Sequence, residues 1–190
     1  MLDLIHKRFD EALAVIAGCK ESLAPRLAQA AAMIVASSRA GGGAFIFGNG
    51  GSAADAQHIA GELVGRFLKN RRPYRAQALT TDTSILTAVG NDFGFDTIFV
   101  RQLQAAARPG DVAIALSTSG NSANVTAALE YARKNAIKTI ALTGQGGGQC
   151  AQLADVLLSA PAELSPRIQE AHAVMYHILC ELVEQALAEG

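Results

Sequence analysis

Large aromatic side chains are scarce in this sequence. The chain of 190 residues contains no tryptophan and only 5% aromatic residues, whereas 50% of its residues are hydrophobic. Alanine, valine, isoleucine and leucine must therefore build most of the core. A soluble domain commonly holds ~100–200 residues, so the sequence predicts a single domain, residues 1–190, with enough apolar material for a compact core.

Concentrated positive charge is also missing. Lysine and arginine together number 16 and aspartate and glutamate 17, which gives a net charge of −1. We interpret the one short basic segment, Lys69–Arg72, as a solvated loop. Proteins that bind nucleic acid usually carry a basic patch or stripe, so we expect no nucleic-acid partner.

Signals for disulfides, export and membrane insertion are absent as well. Cys19, Cys150 and Cys180 are odd in number and lack the spacing of metal ligands, which is typical of ordinary thiols in a reducing compartment. The N-terminus lacks the basic start and apolar core of a signal peptide. No apolar run approaches the ~20 residues of a membrane span. We therefore expect a soluble, cytoplasmic protein with no membrane partner.

Short apolar segments alternate with longer helical patterns along the chain. This alternation predicts βαβ units and an α/β fold, with a doubly wound parallel sheet flanked by helices. We expect a helical extension over about residues 1–40, as two helices with a break near Pro25, and a long C-terminal helix from Pro166 to about Leu187. Strands are predicted at 44–47, 76–79, 112–116, 139–142 and 156–158, and further helices at 52–67, 82–89, 97–107 and 123–134.

A hydroxyl-rich segment lies between the third predicted strand and the helix that follows it. Its sequence is Ser117-Thr118-Ser119-Gly120-Asn121-Ser122. Parallel sheets bind ligands at the carboxyl ends of their strands, and free N–H groups and the dipole at a helix N-terminus favour an anion there. We expect the four hydroxyls to bind a phosphate and Gly120 to let the backbone approach it. The alternative is an ordinary polar turn in which Ser122 only caps the helix.

A glycine-rich segment follows the first predicted strand in the same way. Gly48-Asn49-Gly50-Gly51-Ser52 precedes a helix that we expect to begin at Ser52, a good N-cap residue. The segment matches neither the Walker A pattern nor the dinucleotide-binding fingerprint. Two loops without lysine suit a small phosphorylated sugar better than a nucleotide.

Polar residues recur at helical spacing on two of the predicted helices. His58 and Glu62 are four residues apart, hence about 40° apart around the helix, and Gln169 and His177 are about 80° apart. His172 points about 60° to the other side of Gln169, a direction that could be surface. A histidine and a carboxylate on one face can bind a divalent metal, with a second helix completing the shell. The alternative is a set of unrelated surface groups, and spacing alone favours it.

Asn91 and Asp92 follow the point where we expect a helix to end, at Gly90. One interpretation is a turn in which the side chain caps the backbone. The other is a pair of groups that bind sugar hydroxyls.

Four segments together resemble the bacterial phosphoheptose isomerases, which belong to the sugar isomerase (SIS) domain group. They are Gly48–His58, Gly90–Asp92, Ser117–Ser122 and Arg167–His172. The resemblance runs across nearly the whole chain, the motifs occur in the family's order, and none of the motif positions is substituted. Residues 68–75 are less characteristic.

The resemblance implies the SIS fold and the isomerisation of sedoheptulose 7-phosphate to D-glycero-D-manno-heptose 7-phosphate, the entry to bacterial heptose synthesis, for example for lipopolysaccharide. It also implies a homotetramer with sites between subunits and one bound zinc per subunit. The implied zinc ligands are His58, Glu62, Gln169 and His177. The implied substrate-binding residues are Asn49, Gly50, Gly51, Ser52, Glu62, Asn91, Asp92, Ser117, Thr118, Ser119, Ser122 and Gln169.

Isomerisation of a ketose to an aldose needs a base for the carbon-bound proton and an acid for the oxygen. Our hypothesis is that Glu62 is the base and His177 the acid, which gives Glu62 two roles, ligand and base. Some relatives with this fold are not enzymes, notably a tetrameric protein that binds the replication initiator, but they lack counterparts of Glu62 and His177. Sugar-phosphate sensors usually carry a DNA-binding domain, for which we expect no room here.

Overall fold

The computed structural model describes residues 1–188. Its helices are α1 (Leu2–Arg39), α2 (Gly51–Val64), α3 (Thr83–Phe93), α4 (Ile98–Ala106), α5 (Ala123–Lys134), α6 (Cys150–Leu153) and α7 (Ser165–Ala188), with a 3₁₀ turn at Phe95–Thr97. Its strands are β1 (Ala44–Gly48), β2 (Ala76–Ala78), β3 (Val112–Ser117), β4 (Lys138–Thr143) and β5 (Val156–Ser159). Apart from the short α6 and the 3₁₀ turn, which the sequence did not signal, each element overlaps a segment that the sequence predicted as helix or strand.

The strands form one parallel sheet in the order β2-β1-β3-β4-β5. This order reverses direction between β1 and β3, which defines a doubly wound sheet and places its ligand-binding crevice beyond the carboxyl ends of those two strands. The predicted fold class is therefore confirmed. No helix among residues 1–188 is both long and apolar enough to cross a membrane.

The sheet is buried on both faces because successive side chains of each strand alternate between two apolar clusters. In β1, Ala44 and Ile46 pack into the cluster that α1, α2 and α7 cover. Phe45 and Phe47 pack into the opposite cluster, with the apolar sides of α4 and α5. Burial on both faces explains why these strands are continuous apolar runs rather than alternating ones.

The predicted break near Pro25 is wrong, because α1 runs through it as one helix. Proline inside a helix costs about 3 kcal/mol. Leu23 and Leu27, on either side of it, are both buried against the same cluster as α7. Continuous burial of the apolar stripe of α1 offsets the cost of the missing hydrogen bond.

Both predicted boundaries of α2 need correction. The N-cap is Gly50, whose backbone (φ 58°, ψ −123°) suits glycine alone, and Ser52 is a buried residue inside the helix. The helix ends at Val64 rather than near Phe67.

The prediction that Lys69–Arg72 is a solvated loop is wrong for Arg71. Arg71 Nε lies 2.9 Å from Glu184 Oε1, and the two side chains are only 4% and 2% exposed. Glu184 also accepts hydrogen bonds from the backbone N–H groups of Phe67, Leu68 and Lys69. This carboxylate on α7 therefore fixes the position of residues 67–71, which follow α2.

The three cysteines are free and buried, in agreement with their interpretation as ordinary thiols. Burial raises the pKa of Cys150 to about 11. Burial, reinforced by the Glu62 charge, raises the pKa of Cys180 to about 12. A thiol needs a lowered pKa to act as a nucleophile, so these residues belong to the core.

Candidate functional site

The hydroxyl-rich and glycine-rich loops lie side by side at the point where the strand order reverses. β1 and β3 are paired neighbours, and Gly48 at the end of β1 is in register with Leu116 in β3. The loops that follow the two strands therefore leave the same edge of the sheet together. Each leads into a helix, so two helix N-termini face the crevice where a doubly wound sheet binds its ligand.

Ser117 and Ser122 bring the two ends of the hydroxyl-rich loop together, with their Oγ atoms 3.1 Å apart. Ser122 is the N-cap residue of α5, but its hydroxyl pairs with Ser117 instead of capping the helix. Thr118 Oγ1 accepts a 3.3 Å hydrogen bond from Ser165 Oγ at the start of α7. The interpretation of this loop as a turn in which Ser122 merely caps α5 is therefore not supported.

Gly120 has a packing role that the sequence did not signal. Its φ is +66°, and a Cβ atom placed there would lie 2.1 Å from the carbonyl oxygen of Gly147. The glycine is needed because the hydroxyl-rich loop packs on the loop after β4, and the approach of a ligand to Gly120 stays a prediction. Asn121 joins the same two loops, since its Oδ1 accepts a 2.9 Å hydrogen bond from the backbone N–H of Gln149.

Asn124 is a site residue that sequence reasoning missed. It is buried near the start of α5, and its amide exchanges two 2.9 Å hydrogen bonds with the amide of Asn49. This reciprocal pair joins the loop after β1 to the helix after β3. Nothing in the sequence signals the pair, because the two residues are 75 positions apart.

Three of the predicted metal ligands converge between α2 and α7. Glu62 Oε1 lies 3.1 Å from His58 Nε2, and His177 Nε2 lies 3.4 Å from the same His58 atom. Ligand atoms of all three residues lie within 4.8 Å of one another. Two imidazole nitrogens and one carboxylate oxygen are the donor set of many catalytic zinc sites, which leave a position open for substrate. The three residues could therefore hold such a metal.

Gln169, the fourth predicted ligand, lies at the other end of the helix pair. A Cβ atom added to Gly51 would meet the Gln169 amide nitrogen at 2.6 Å, so the amide packs against the first turn of α2. This position beside the glycine-rich loop is where a substrate-binding residue is expected. Its role as a zinc ligand stays a prediction.

His172 does not face the surface, as its helical direction had suggested. It is 0% exposed, and its Nε2 lies 3.1 Å from the Thr143 carbonyl oxygen at the end of β4. Burial lowers the pKa of His172 to about 4, although the hydrogen bond opposes this shift. The residue is therefore a neutral core histidine that fixes α7 to the sheet.

Asn91 and Asp92 do not follow a helix that ends at Gly90. They lie in the last turn of α3, which continues to Phe93, and both are exposed. Asn91 Nδ2 donates a 2.8 Å hydrogen bond to Asp92 Oδ1. The helix persists because Gly94, with φ 91°, ends it instead of Gly90. In this chain the pair points to solvent, and its contact with a sugar stays a prediction.

The SIS domain family model matches residues 8–144. This match spans both ligand loops and the part of α2 that carries His58 and Glu62. The chain therefore belongs to the SIS domain family.

Full-length relatives give the narrower assignment, to the phosphoheptose isomerases. The phosphoheptose isomerase of Rhodospirillum rubrum is 57% identical over 164 residues, which cover 86% of this chain and 87% of the relative. The phosphoheptose isomerase of Aquifex aeolicus is 51% identical over 189 residues, which cover 100% of this chain and 99% of the relative. The solved phosphoheptose isomerase of Neisseria gonorrhoeae is 41% identical with a TM-score of 0.92, over 97% of this chain and 98% of that one. The resemblance stated from the motifs is confirmed.

Proposed function

We propose that this protein is a cytoplasmic ketose–aldose isomerase that converts sedoheptulose 7-phosphate to D-glycero-D-manno-heptose 7-phosphate, a first step of bacterial heptose synthesis such as that for lipopolysaccharide. The observation that carries the proposal is the convergence of His58, Glu62 and His177 in a chain whose full-length relatives are phosphoheptose isomerases. The loop at Ser117–Ser122 would hold the phosphate. The initiator-binding scaffold is not favoured, because this chain has both Glu62 and His177.

The reaction moves one proton between two carbons through an enediol. Glu62 takes a proton from C1 of the ketose, the C1–H electron pair forms the C1=C2 bond, and His177 gives a proton to O2. In the second half O1 loses its proton and C2 receives one, which leaves the aldehyde at C1. Glu62 Oε1 faces His58, so the second carboxylate oxygen is available to the substrate, and one residue can serve as both ligand and base.

Zinc is the cofactor that we propose, one ion per subunit, held by His58, Glu62 and His177 of one chain. Gln169 lies eight residues before His177, about 12 Å along α7, so as the fourth ligand it would come from a second copy. When bound, it would polarise the sugar oxygens and orient the substrate as a Lewis acid. The support is the donor set that the three described side chains bring together.

A homotetramer with active sites between subunits is part of the proposal. Glu62 lies 11 residues beyond Gly51 in α2, about 16 Å along the helix axis. The six C–C bonds of a heptose, about 1.5 Å each, add up to only about 9 Å. The glycine-rich loop and Glu62 of one chain are therefore farther apart along α2 than the carbon chain of one sugar is long, which supports a site completed by a second copy.

Exposed apolar surface on α1 supports the same assembly. Leu4, Phe9 and Leu13 are 56%, 67% and 63% exposed along a groove with Ile5 and Arg167. Contiguous apolar patches of this kind mark interaction sites, and a second copy of α1 would present a matching stripe.

The test is to incubate the purified full chain with sedoheptulose 7-phosphate, with and without added zinc, and to follow aldose formation. We expect product, with more turnover after zinc is supplied. Absence of product under both conditions would refute the isomerase proposal.

A further inference from the structure

Asn124 lies buried in the first turn of α5, two residues after the hydroxyl-rich loop ends at Ser122. We propose that it is a positioning residue for sugar-phosphate binding, which holds the Asn49 amide and thereby fixes the spacing between the glycine-rich and hydroxyl-rich loops. The proposal rests on the proposed function and deepens it, because Asn124 itself is not among the implied substrate-binding residues.

The contact between the two amides is reciprocal. Asn49 Nδ2 donates to Asn124 Oδ1 and Asn124 Nδ2 donates to Asn49 Oδ1, each over 2.9 Å. Two hydrogen bonds between planar groups fix the plane of each amide, which a single hydrogen bond would leave free to rotate. Exchange of nitrogen and oxygen in both amides at once would preserve the pair. The contact therefore fixes the plane and the position of the Asn49 amide.

The pair leaves part of the Asn49 amide available to a ligand. A side-chain amide has two N–H donors and two lone pairs on its oxygen, and the contact with Asn124 uses one of each. Asn124 is 2% exposed, whereas Asn49 is half-buried and directly follows the carboxyl end of β1, where the crevice lies. Asn49 can therefore still offer one donor and one acceptor to a sugar, in directions that Asn124 fixes.

Asn124 also connects Asn49 to the hydroxyl-rich loop. The Ser122 hydroxyl, two residues before Asn124, pairs with that of Ser117 and closes this loop. In the proposed site the loop holds the phosphate and Asn49 contacts the same ligand, whose length is fixed. The affinity for the ligand therefore depends on the spacing between the two loops, which the amide pair spans directly.

A simpler role for Asn124 would be to stabilise the attachment of α5 to the rest of the fold. That role would change the free energy of unfolding, but it would leave the KM of the folded protein unchanged. Thr126→Val is the matched control, because Thr126 is also a buried polar residue of α5 and its hydroxyl bonds the Ala123 carbonyl of the same helix.

The first measurement is NMR of the side-chain amides in the full chain labelled with ¹⁵N-asparagine. We expect the Asn49 amide protons to exchange with solvent slowly in the parent protein and in Thr126→Val. In Asn124→Ala they should exchange about 3- to 10-fold faster, because the hydrogen bond to a buried partner is lost. Equal exchange rates in the parent and in Asn124→Ala would overturn the proposal.

The second measurement is steady-state kinetics with sedoheptulose 7-phosphate. We expect Asn124→Ala to raise KM about 3- to 10-fold. The kcat should stay close to that of the parent, because Glu62 and His177 belong to α2 and α7. Thr126→Val should retain the KM of the parent. An unchanged KM in Asn124→Ala, or a fall in kcat alone, would contradict the proposal.

Combination with Asn49→Ala shows whether Asn124 acts through Asn49. We expect the double variant to have the KM of Asn49→Ala alone, because the amide that Asn124 holds is then absent. A KM that multiplies the effects of the two single substitutions would contradict a positioning role. If the parent formed no aldose, the proposed function would fail, while the exchange of the Asn49 amide protons would still decide whether Asn124 holds this side chain.

Discussion

The Nε2 atoms of His58 and His177 lie 3.4 Å apart, although the residues belong to α2 and α7. One imidazole can donate to the other only weakly at this distance. Both lone pairs can instead converge on one cation beside Glu62. The distance between the two rings therefore suits the metal site that we propose.

Replacement of His58 tests the metal site. We expect His58→Ala to lose most of its bound zinc, because only Glu62 and His177 of the converging donors remain. Metal analysis of the purified protein measures this loss. His6→Ala, on the exposed start of α1, is the control and should retain the parent's zinc content. Equal zinc in His58→Ala and the parent would contradict the proposed ligand set.

Replacement of Glu62 tests the base. Glu62→Gln keeps the size of the side chain and removes its ability to accept the C1 proton, so we expect kcat to fall by about 10²- to 10⁴-fold. Substrate should still bind within a few-fold of the parent, because the phosphate loop is intact. Glu130→Gln, on the exposed side of α5, should leave kcat unchanged.

Zinc content of the same Glu62→Gln protein separates the two roles of the residue. Lost turnover with zinc retained would assign the base, and lost zinc would assign the ligand. If Glu62→Gln turned over substrate at a rate close to that of the parent, both proposed roles, base and ligand, would be refuted.

Gly120 tests how the phosphate loop is built. A Cβ atom at Gly120 would meet the Gly147 carbonyl oxygen at 2.1 Å in a left-handed backbone, whereas at Gly41, with φ +83°, it would meet no described atom within 4 Å. Left-handed backbone costs a non-glycine residue about 1–2 kcal/mol, and overpacking about 1–3 kcal/mol more. Gly120→Ala should therefore be destabilised by both effects, and Gly41→Ala only by the left-handed backbone.

Urea denaturation measures the stability of the two glycine variants, and KM measures the loop. We expect KM to rise in Gly120→Ala alone, because the loop must move away from Gly147. Equal loss of stability in both variants would show that the close contact does not restrain the loop.

The sheet and both loops were predictable because their signals are local. An apolar run that ends in hydroxyls or glycines before a helical pattern is visible within about fifteen residues, and Ser117–Ser122 and Gly48–Ser52 are such segments. His58 and Glu62 were also accessible, since helical geometry places them on one face. Local rules failed where packing opposed them, as at Pro25, where buried neighbours on both sides keep α1 continuous.

The contacts that assemble the site were not predictable in the same way. Asn49 and Asn124 are 75 positions apart, and His58 and Tyr176 are 118 apart. The contact between Glu184 and the Phe67 backbone spans 117 positions. Such pairs depend on how the helices pack against each other on the folded sheet. The periodicity along one helix gives no information about that packing. The buried position of His172 was missed for this reason, because its direction was judged from α7 alone.

The apolar stripe on α1 tests the assembly. We expect the parent to be a tetramer and Phe9→Glu to dissociate it, because a carboxylate buried in an apolar interface carries a large desolvation cost. Light scattering after size-exclusion chromatography measures the mass. Lys7→Glu, on the same exposed part of α1, should remain a tetramer. A monomeric parent, or a tetrameric Phe9→Glu, would contradict the proposed interface.

His172 gives the pH dependence of stability. Its pKa is about 4 in the folded protein and about 6.5 in the unfolded chain, so the unfolded state binds a proton first as the pH falls. The contribution of neutral His172 to the free energy of unfolding is therefore complete above pH 6.5. It is lost between pH 6.5 and 4, by about 3 kcal/mol in total.

His172→Gln tests this contribution, because glutamine retains an N–H donor for the Thr143 carbonyl and does not take up a proton in this range. Denaturant unfolding across this range should show the parent losing stability relative to His172→Gln, whereas His6→Gln, at an exposed position, should follow the parent. Parallel curves for the parent and His172→Gln would mean that His172 is not held neutral in the core.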